Sequence, residues 1–581
     1  MSPTDWRFRS ALFAALVALS SPAAAGEACD SPEDPAAAIV DCTQSIKSGK
    51  FKGPQLAAFY NNRAAAYRAT GDNSHAMADL NEAIRLDPTL AMAFNNRGAA
   101  YNEQGDNDRA IADYNAAIRL DPKLAMAFQN RGNAYSDMGN KDRAIADYSE
   151  AIRLDPKFAM AFQNRGSAYN DKGDNDHAIA DFNAAIRLDP THAMAFIGRG
   201  IALSDKGDTD RAIADFNAAI RLDPTSAVAF DNRGNAFSNM GDTDRAIADY
   251  NEAIRLDPKS AKALVNRGNA FNDKDDNDRA IADYDAAIRL SPKLAMAFQN
   301  RGSAYHDKGD NDHAISDYNE AIRLDPAHAR TYVGRGMAYS DKGDTDRAIA
   351  DFSEAIRLDP TSASAFINRG SNSIDKGDTD HAIADFSEGI RLNPKSRKAF
   401  IGRGLAFRTK GDFEHAIADY SEAIRLDPKL SLGYFVRGRL YLFTGSAEKA
   451  LADFNEANAN APSSAYIALW ADIASRRNNL PSHLAQASSK LDMTAWPAPV
   501  VKMFMDQMTP AAVLAAADDP DATKTKGQVC EANFYSGELS LAKGAKDEAT
   551  RLFRLAANDC PHSFDEWDAA NAELKALGVT P

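Results

Sequence analysis

The sequence is poor in cysteine, in positive charge and in long apolar runs. Four cysteines among 581 residues are too few for a disulfide-dense scaffold. Outside the first 25 residues, no segment approaches the roughly 18 successive apolar residues that a membrane-spanning helix needs. The chain has 67 Lys and Arg against 82 Asp and Glu, which gives a net charge of −15. A general nucleic-acid binder normally carries a basic face, so the composition argues against that class.

The first 25 residues have the pattern of an export signal. Arg7 and Arg9 precede a short apolar run over residues 11–19, and residues 23–25 are all alanine. A basic start, an apolar middle and a small-residue site predict a secretory signal cut before Gly26. An uncleaved signal anchor is the alternative. We expect a periplasmic or secreted protein with no membrane span after cleavage.

What the sequence has in abundance is a 34-residue repeat. Closely similar segments begin at Asn96 and Asn130, and with position 1 at Ala57 twelve tandem copies fill residues 57–464 without an insertion. Each copy has two stretches in which apolar or small residues recur four and three apart. In the second copy, Gly105-Asp106 separates the two stretches and Pro122 ends the second. This pattern predicts two antiparallel helices per repeat, A and then B.

The repeat resembles the tetratricopeptide repeat (TPR). In the third copy the residues at positions 4, 8, 11, 20, 24, 27 and 32 fit the family pattern, namely Phe128, Gly132, Tyr135, Ala144, Tyr148, Ala151 and Pro156. The resemblance implies an all-α fold, a right-handed TPR superhelix (an α-solenoid of antiparallel helix pairs) with helical capping regions and with helix A on its concave side. Asp275, Ser373 and Gly389 depart from the pattern, and we expect repeat ten (363–396) to be the loosest.

Two charged positions are constant throughout the array. Position 7 is Arg and position 23 is Asp in all twelve repeats, from Arg63 and Asp79 onward. Antiparallel helices joined near position 16 place these positions at similar heights. We predict an Arg–Asp ladder between helices A and B, with a phosphate-binding row of arginines as the alternative.

The helix-A positions that vary between repeats form the candidate peptide-binding groove. Position 6 is asparagine in eight repeats: Asn62, Asn96, Asn130, Asn164, Asn232, Asn266, Asn300 and Asn368. An asparagine side chain offers both a donor and an acceptor, so such a row can hold the main chain of an extended peptide. A helix-packing role is the alternative. Cations concentrate later in the array and favour an acidic segment there: Lys262, Arg330, Lys398, Arg408 and Arg439.

All four cysteines lie outside the array. Cys29 and Cys42 precede it, and Cys530 and Cys560 follow it. In an exported protein this arrangement predicts two disulfides. Metal ligation is a weak alternative, because the sequence has no CxxC spacing and no clustered histidines. We expect no metal and no cofactor.

The flanks of the array predict capping regions. Residues 26–56 form an N-terminal cap helix, residues 465–529 a helical connector, and residues 530–581 a degenerate TPR with a C-terminal cap helix. The tail resembles that of NlpI-type TPR lipoproteins, through Trp496-Pro497 and through residues 531–537. That resemblance implies a non-catalytic adaptor for cell-wall hydrolases and a protease. The chain departs from those proteins in lacking a lipobox and in having many more repeats.

The sequence therefore predicts an interaction protein and not an enzyme. It contains no P-loop, HExxH or GxSxG motif. The leading hypothesis is a non-catalytic periplasmic scaffold that binds extended peptides or proteins in its groove. The alternative is a regulatory or substrate-recruiting adaptor of a cell-envelope enzyme, a peptidoglycan hydrolase or a protease, that docks through the C-terminal region. The partner and the oligomeric state are not set by the sequence.

Overall fold

The fold is helical in the part of the chain that the structure describes. A computed structural model describes Cys29, residues 34–561 and residues 564–580. The predicted signal, residues 1–25, and its cleavage site lie outside these residues. Within them are 32 α-helices and one short 3-10 helix. The chain divides into two compact units between Pro292 and Lys293.

Helix pairs follow one another through the repeats. The first helix of each pair, helix A, occurs as α2 Gly53–Ala69, α4 Ala91–Glu103, α6 Ala125–Asp137, α8 Ala159–Asp171, α10 Ala193–Asp205, α12 Ala227–Asn239, α14 Ala261–Asn272, α16 Ala295–Asp307, α18 Ala329–Asp341, α20 Ala363–Asp375, α22 Arg397–Thr409 and α24 Ser431–Phe443. The second, helix B, occurs as α3 Asn73–Leu86, α5 Asn107–Leu120, α7 Lys141–Leu154, α9 Asn175–Leu188, α11 Thr209–Leu222, α13 Thr243–Leu256, α15 Asn277–Leu290, α17 Asn311–Leu324, α19 Thr345–Leu358, α21 Thr379–Leu392, α23 Phe413–Leu426 and α25 Ala447–Asn460.

Local chemistry sets the ends of each helix. In repeat two, Gly105 adopts a positive φ of 79° in the turn between the helices, a conformation that costs glycine little. The Asp106 side chain accepts a hydrogen bond from the backbone N of Arg109 at 3.1 Å and caps helix B. Asp121 leaves the helical region just before Pro122, which cannot continue the helix. A side chain at position 16 caps helix B in the same way in eleven repeats, an aspartate in ten of them and Asn140 in repeat three, whereas Ser446 of repeat twelve makes no such bond.

The two helices of a repeat run antiparallel, as predicted. Three contacts within repeat twelve join positions 1 and 27, 7 and 23, and 11 and 19: Ser431 with Ala457, Arg437 with Asp453, and Tyr441 with Lys449. Because the partner position falls as the helix-A position rises, the helices must point in opposite directions.

Small residues let the paired helices approach closely. A Cβ built on Gly132 would lie 2.7 Å from Cε1 of Tyr148, so position 8 has no room for a side chain beside the ring at position 24. The alanines at positions 10, 20 and 27 of repeat three are fully buried as well: Ala134, Ala144 and Ala151. The core therefore lies between helices and is repeated in each pair.

The predicted Arg–Asp ladder is confirmed. In every repeat the position 7 guanidinium bonds the position 23 carboxylate at 2.6–2.8 Å. Arg131 shows the geometry: Nε and Nη2 donate to the two oxygens of Asp147, and Nη1 donates to Asn115 of the preceding helix B. The hydrogen bonds that Arg131 donates to the Asp147 carboxylate raise the pKa of the guanidinium. Arg131 thus ties its own helix pair to the pair before it, and the pairing of every position 7 arginine with an aspartate leaves no free phosphate-binding row in the described array.

A single helix precedes the array. Helix α1, Pro35–Lys47, begins after Asp34, whose side chain accepts a hydrogen bond from the backbone N of Ala37 at 3.0 Å. Thr43 on this helix accepts a hydrogen bond from Nη1 of Arg63 at 3.0 Å. Arg63, the first ladder arginine, therefore bonds α1 in the way that Arg97 and Arg131 bond the preceding helix B.

The C-terminal region abandons the 34-residue spacing. Its elements are α26 Ala465–Arg477, α27 Leu484–Ala487, the 3-10 helix Ser488–Lys490, α28 Ala498–Phe504, α29 Pro510–Ala516, α30 Ala522–Ala542, α31 Lys546–Asp559 and α32 Asp565–Ala576. The sequence predicts a polar loop over residues 518–527, but α30 begins within it because Asp521 caps the helix through the backbone N of Thr523. Trp470, Phe504 and Phe534 anchor the large apolar core of this region.

Candidate interaction surface

The candidate surface lies on the side of helix A that helix B leaves uncovered. We define the helix-A face as positions 2, 5, 6, 9, 12 and 13 of each repeat. In repeat four, Met160 is 40% exposed, and Asn164 and Ser167 are half-buried. These positions differ between repeats while positions 7 and 23 stay constant. The array thus keeps one packing scheme and varies one face.

The asparagines at position 6 bond between neighbouring helices. Nδ2 of Asn96 donates to Asn61 at 2.9 Å, and Nδ2 of Asn266 donates to Asp231 at 2.8 Å. Asn164 donates in the same way to Asn133 of the preceding helix A at 3.0 Å. The remaining half-exposed members of the row also have polar partners within the chain: Asn62, Asn232, Asn300 and Asn368. Asn62 and Asn232 bond within their own helices, so the contacts between helices favour the packing role for Asn96, Asn164 and Asn266 and not for the whole row.

Asn130 departs from the expected groove. Its side chain is 7% exposed and donates to Oδ1 of Asn95 at 3.0 Å. Asn95 is itself 1% exposed, so the two amides form a buried link between helices α4 and α6. Asn130 thus packs inside the array and does not line an open surface.

Glycines interrupt the asparagine row for a steric reason. A Cβ on Gly198 would lie 2.4 Å from the ring of Phe182, and a Cβ on Gly402 would lie 2.4 Å from the ring of Phe386. Gly334 has the same relation to Tyr318, at 2.7 Å. At these three junctions the ring at position 24 of one repeat reaches the next helix A, so no larger residue fits.

The predicted cations fall into two groups. Lys262 and Lys398 bond one repeat back along the helix-A face, Nζ of Lys262 to Asp231 at 3.1 Å and Nζ of Lys398 to Asn368 at 2.9 Å. Arg330 is exposed. These three residues therefore remain on the surface of the array, as the sequence predicts.

Arg408 and Arg439 contradict the expectation of an open basic groove. Arg439 is 1% exposed, and its guanidinium pairs with the carboxylate of Asp565 and donates to the Asp565 carbonyl at 3.0 Å. Nη1 of Arg408 also reaches Asp565, at 3.2 Å, and Nη2 reaches Asp568 at 3.4 Å. The acidic first turn of α32 occupies this part of the helix-A face. An incoming acidic peptide would meet two arginines that are already neutralised.

Sequence models identify the repeat. Models described as tetratricopeptide repeat match residues 130–193, 164–227, 232–295, 329–362, 363–396 and 398–430. A model described as TPR repeat matches residues 64–105, 98–139 and 302–343. The chain belongs to the tetratricopeptide repeat family. TPR arrays serve in general as non-catalytic scaffolds for protein interactions.

Several solved structures are similar to this TPR chain in fold. One is a chain of the APC/C hetero-tetramer Cut9-Hcn1, with 16% identity, coverage of 76% of this chain and 93% of that chain, and a TM-score of 0.43. A tetratricopeptide repeat protein from Parabacteroides merdae has 22% identity over 43% and 99% of the chains, with a TM-score of 0.37. YrrB, described as a TPR protein with an unusual peptide-binding site, has 24% identity over 32% and 95%, with a TM-score of 0.27.

Two disulfides lie outside the twelve TPRs. Cys29 bonds Cys42, with Cα atoms 5.1 Å apart, and Cys530 bonds Cys560, with Cα atoms 4.9 Å apart. Both Cα separations fall in the range that disulfides adopt. The second bond joins α30 to the end of α31.

A buried carboxyl cluster in the C-terminal region has no counterpart in the TPRs. Oε2 of Glu531 accepts hydrogen bonds from Nε1 of Trp496 at 2.7 Å and from Oη of Tyr466 at 3.0 Å. Oη of Tyr535 donates to Glu566 at 3.1 Å. Burial, reinforced by the nearby Glu566 carboxylate, raises the pKa of Glu531 to about 7. We did not predict this cluster from the sequence.

A second buried group lies on the same long helix. Nη2 of Arg477 contacts Glu538 at 2.8 Å and Glu573 at 2.7 Å, and both glutamates are buried. Burial raises the pKa of Glu538 to about 7, although Arg477 opposes the shift and Glu573 adds to it. Glu531 and Glu538 are seven residues apart on α30, so a helical projection would have placed them on one otherwise apolar face.

No group of three or more His, Cys, Asp or Glu side chains within the described residues could hold a metal ion. None of the helices in this part of the chain is long and apolar enough to cross a membrane. The surface features that remain are the helix-A face and the exposed parts of the C-terminal region.

Proposed function

We propose that this TPR protein is an exported, non-catalytic scaffold whose helix-A face binds extended segments of partner proteins. The observation that carries the proposal is the distribution of variation within the chain. The core of the repeat recurs, while the helix-A face changes from the half-buried Asn164 to Gly198 and from Met160 to Lys262. A surface that differs from repeat to repeat on a constant frame suits a ligand that runs along several repeats.

The packing role of the asparagines narrows the mode of binding. Donors that already bond between helices have less capacity to hold a peptide main chain, whereas the side chains at position 2 remain accessible in part: Met160 is exposed and the other methionines there are half-buried. Position 2 is methionine in five repeats: Met92, Met126, Met160, Met194 and Met296. Methionine side chains adapt to varied apolar partners. In this account the methionines and lysines at position 2 make the principal side-chain contacts, and the amides add hydrogen bonds at the edges.

The two disulfides support the proposed location. Each pairs cysteines that an oxidising compartment keeps bonded, and the N-terminal sequence has the pattern of a secretory signal. Export predicts that the mature protein is recovered outside the cytoplasm, begins at Gly26 and has no free thiol. Cell fractionation, N-terminal sequencing and thiol titration of the unfolded, unreduced protein measure these three properties. A retained signal or four free thiols would contradict the proposal.

Capture of partners from cell-envelope extracts tests the proposed surface. The full-length protein is compared with the triple variant Met126→Glu, Met160→Glu, Met194→Glu and with a matched control, Ala146→Glu, Ala180→Glu, Ala214→Glu. The control alanines are exposed on the helices B of the same three repeats. Reduced capture by the first variant alone supports binding along the helix-A face. Equal capture by all three proteins would favour docking through the C-terminal region, as expected for an adaptor of a cell-envelope enzyme.

A further inference from the structure

A cleft of about 670 Å³ opens at the edge of repeat eleven. Three cations and three aliphatic side chains line it: Lys395, Arg397, Lys398, Ile401, Leu426 and Leu430. The lysines are exposed and the aliphatic side chains are half-buried. We call this site the repeat-eleven cleft. It combines an apolar floor with a basic rim.

The cleft carries an excess of positive charge. Asp427 is its one lining carboxylate and pairs with the guanidinium of Arg397. Nζ of Lys398 bonds the neutral amide of Asn368 at 2.9 Å, which leaves the ammonium charge uncompensated. Three cations against one carboxylate leave two positive charges around the floor. This imbalance stands out in a chain whose net charge is −15.

Arg397 is particular to repeat eleven, whereas the lysines of the rim recur in repeat seven as Lys259 and Lys262, where Lys262 pairs with the Asp231 carboxylate. Position 1 is alanine in ten of the twelve repeats and arginine at Arg397. The equivalent positions in repeat three carry Ala125 and Met126 in place of Arg397 and Lys398. Repeat three keeps one cation at this edge, Lys123, where repeat eleven has three, so the excess of positive charge distinguishes the repeat-eleven cleft.

Arginines near the C-terminal end of the array already bind a carboxylate of the chain. Arg408 lies later on the same helix A, and Arg439 lies on helix A of repeat twelve. Both arginines contact the Asp565 carboxylate at the start of α32. That internal contact neutralises those arginines. Lys395 and Lys398 have no such carboxylate from α32 among the contacts of the described residues.

We propose that the repeat-eleven cleft binds a partner segment in which Asp or Glu residues flank a leucine-like side chain. The aliphatic group packs on Ile401, Leu426 and Leu430, and the carboxylates pair with Lys395 and Lys398. The inference rests on the proposed scaffold function and names the chemistry of one ligand. Charge complementarity directs the acidic residues, and apolar burial retains the segment.

Fluorescence anisotropy with synthetic peptides tests this assignment on the full mature chain. The probe is a labelled peptide that repeats Asp-Leu-Glu, and the comparison peptides replace its acids by amides or its leucines by serines. We expect saturable binding of the first peptide alone and at least a tenfold loss of affinity for the variant Lys395→Glu, Lys398→Glu. Raising the salt concentration from 0.05 to about 0.5 M should weaken binding strongly, because exposed charges are screened.

A matched variant controls for a general change of charge. Lys123→Glu with Met126→Glu places the same two acids at the equivalent positions of repeat three, and we expect it to bind the peptide like the unmodified chain. Circular dichroism confirms that both variants fold. The assignment is overturned if the acidic peptide does not bind, if the amide peptide binds equally well, or if the repeat-three variant loses as much affinity. If the peptide does not bind while the position 2 methionine variant still reduces partner capture, the cleft assignment is wrong and the scaffold proposal stands.

Discussion

The ion pairs of the TPR array and those of the C-terminal region differ in their burial and in the sequence distance between their partners. In the array each ladder arginine is partly exposed and pairs with an aspartate 16 residues later, as Arg437 pairs with Asp453. Where the C-terminal region meets the array, Arg439 of repeat twelve is 1% exposed and pairs with Asp565 of that region, 126 residues away in the chain. The comparison is direct because Arg437 and Arg439 are both on α24. Helix α24 therefore contains one arginine of a local pair and one arginine of a long-range pair.

The difference concerns how stability is distributed. Local pairs make each repeat depend mainly on its neighbours, so the loss of one pair weakens one junction. The C-terminal contacts link elements far apart in sequence, such as Arg477 with Glu538 and Glu573. We therefore expect this region to unfold as a unit. Tryptophan fluorescence isolates it in the mature protein, since Trp470, Trp496 and Trp567 all lie there.

The largest effect should come from removing the buried arginine. Arg439→Met leaves the carboxylates of Asp565 and Glu566 without their main cation, and breaking such a buried pair costs about 3–5 kcal/mol. Arg437→Met, two residues away, should cost only about 1–3 kcal/mol, because solvent reaches that pair. Urea unfolding followed by tryptophan fluorescence measures both variants. Equal shifts in the two midpoints would remove the distinction between the regions.

Within the array, close packing should matter more than any single surface contact. Gly198→Ala introduces a Cβ at 2.4 Å from the Phe182 ring, and overpacking of this kind costs about 1–3 kcal/mol. Asn164→Ala, at the same position of the preceding repeat, removes one hydrogen bond and should cost about 1 kcal/mol. Hydrogen exchange of α9 and α10 followed by mass spectrometry reports the local loss. A smaller effect for Gly198→Ala would show that the ring yields readily.

The two regions should respond differently to pH. Burial raises the pKa of Glu531 and of Glu538 to about 7, while both groups titrate near pH 4.3 in an unfolded chain. Between these values the folded region holds protons that the unfolded chain has lost, so its stability falls as the pH rises from about 4.5 to 7. In the array the Arg109 side chain lowers the pKa of Asp106, so stability there is lost only in more acidic solution.

Thermal unfolding at pH 5 and pH 7.5 measures this contrast. Tryptophan fluorescence should give the higher midpoint at pH 5, whereas far-UV circular dichroism, which the array dominates, should change little. Glu531→Gln keeps a hydrogen-bond acceptor without the charge and should reduce the difference between the two fluorescence midpoints. A fluorescence midpoint that rises with pH would contradict the raised pKa values.

The smallest effect concerns repeat ten. Asn372 is 3% exposed and its Oδ1 has no hydrogen-bond partner, at a position where ten other repeats have alanine. Asn372→Ala removes a buried unpaired oxygen and should stabilise the repeat by about 1 kcal/mol. Slower hydrogen exchange in α20 and α21 is the expected result. Faster exchange there would mean that the amide contributes to packing.

The periodic part of the molecule could be predicted, and the C-terminal contacts could not. A helix pair per repeat and the pairing of Arg131 with Asp147 follow from residues repeated in step. The burial of Asn130 required knowledge of the side chain at position 5 of the preceding helix, which bonds it. Arg439 belongs to a repeat by sequence, but α32 covers it. This contact occurs once in the chain, so a repeating pattern could not predict it.

Site-specific photo-crosslinking within one repeat gives the most direct test of the proposed binding surface. Met160 is 40% exposed on helix A of repeat four, and Ala180 is exposed on helix B of the same repeat. A photoreactive residue is placed at each position in the full-length chain and activated in cells. Partner proteins should crosslink at Met160 and not at Ala180. Crosslinking at Ala180 alone, or only at Leu514 in the C-terminal region, would contradict binding along the helix-A face.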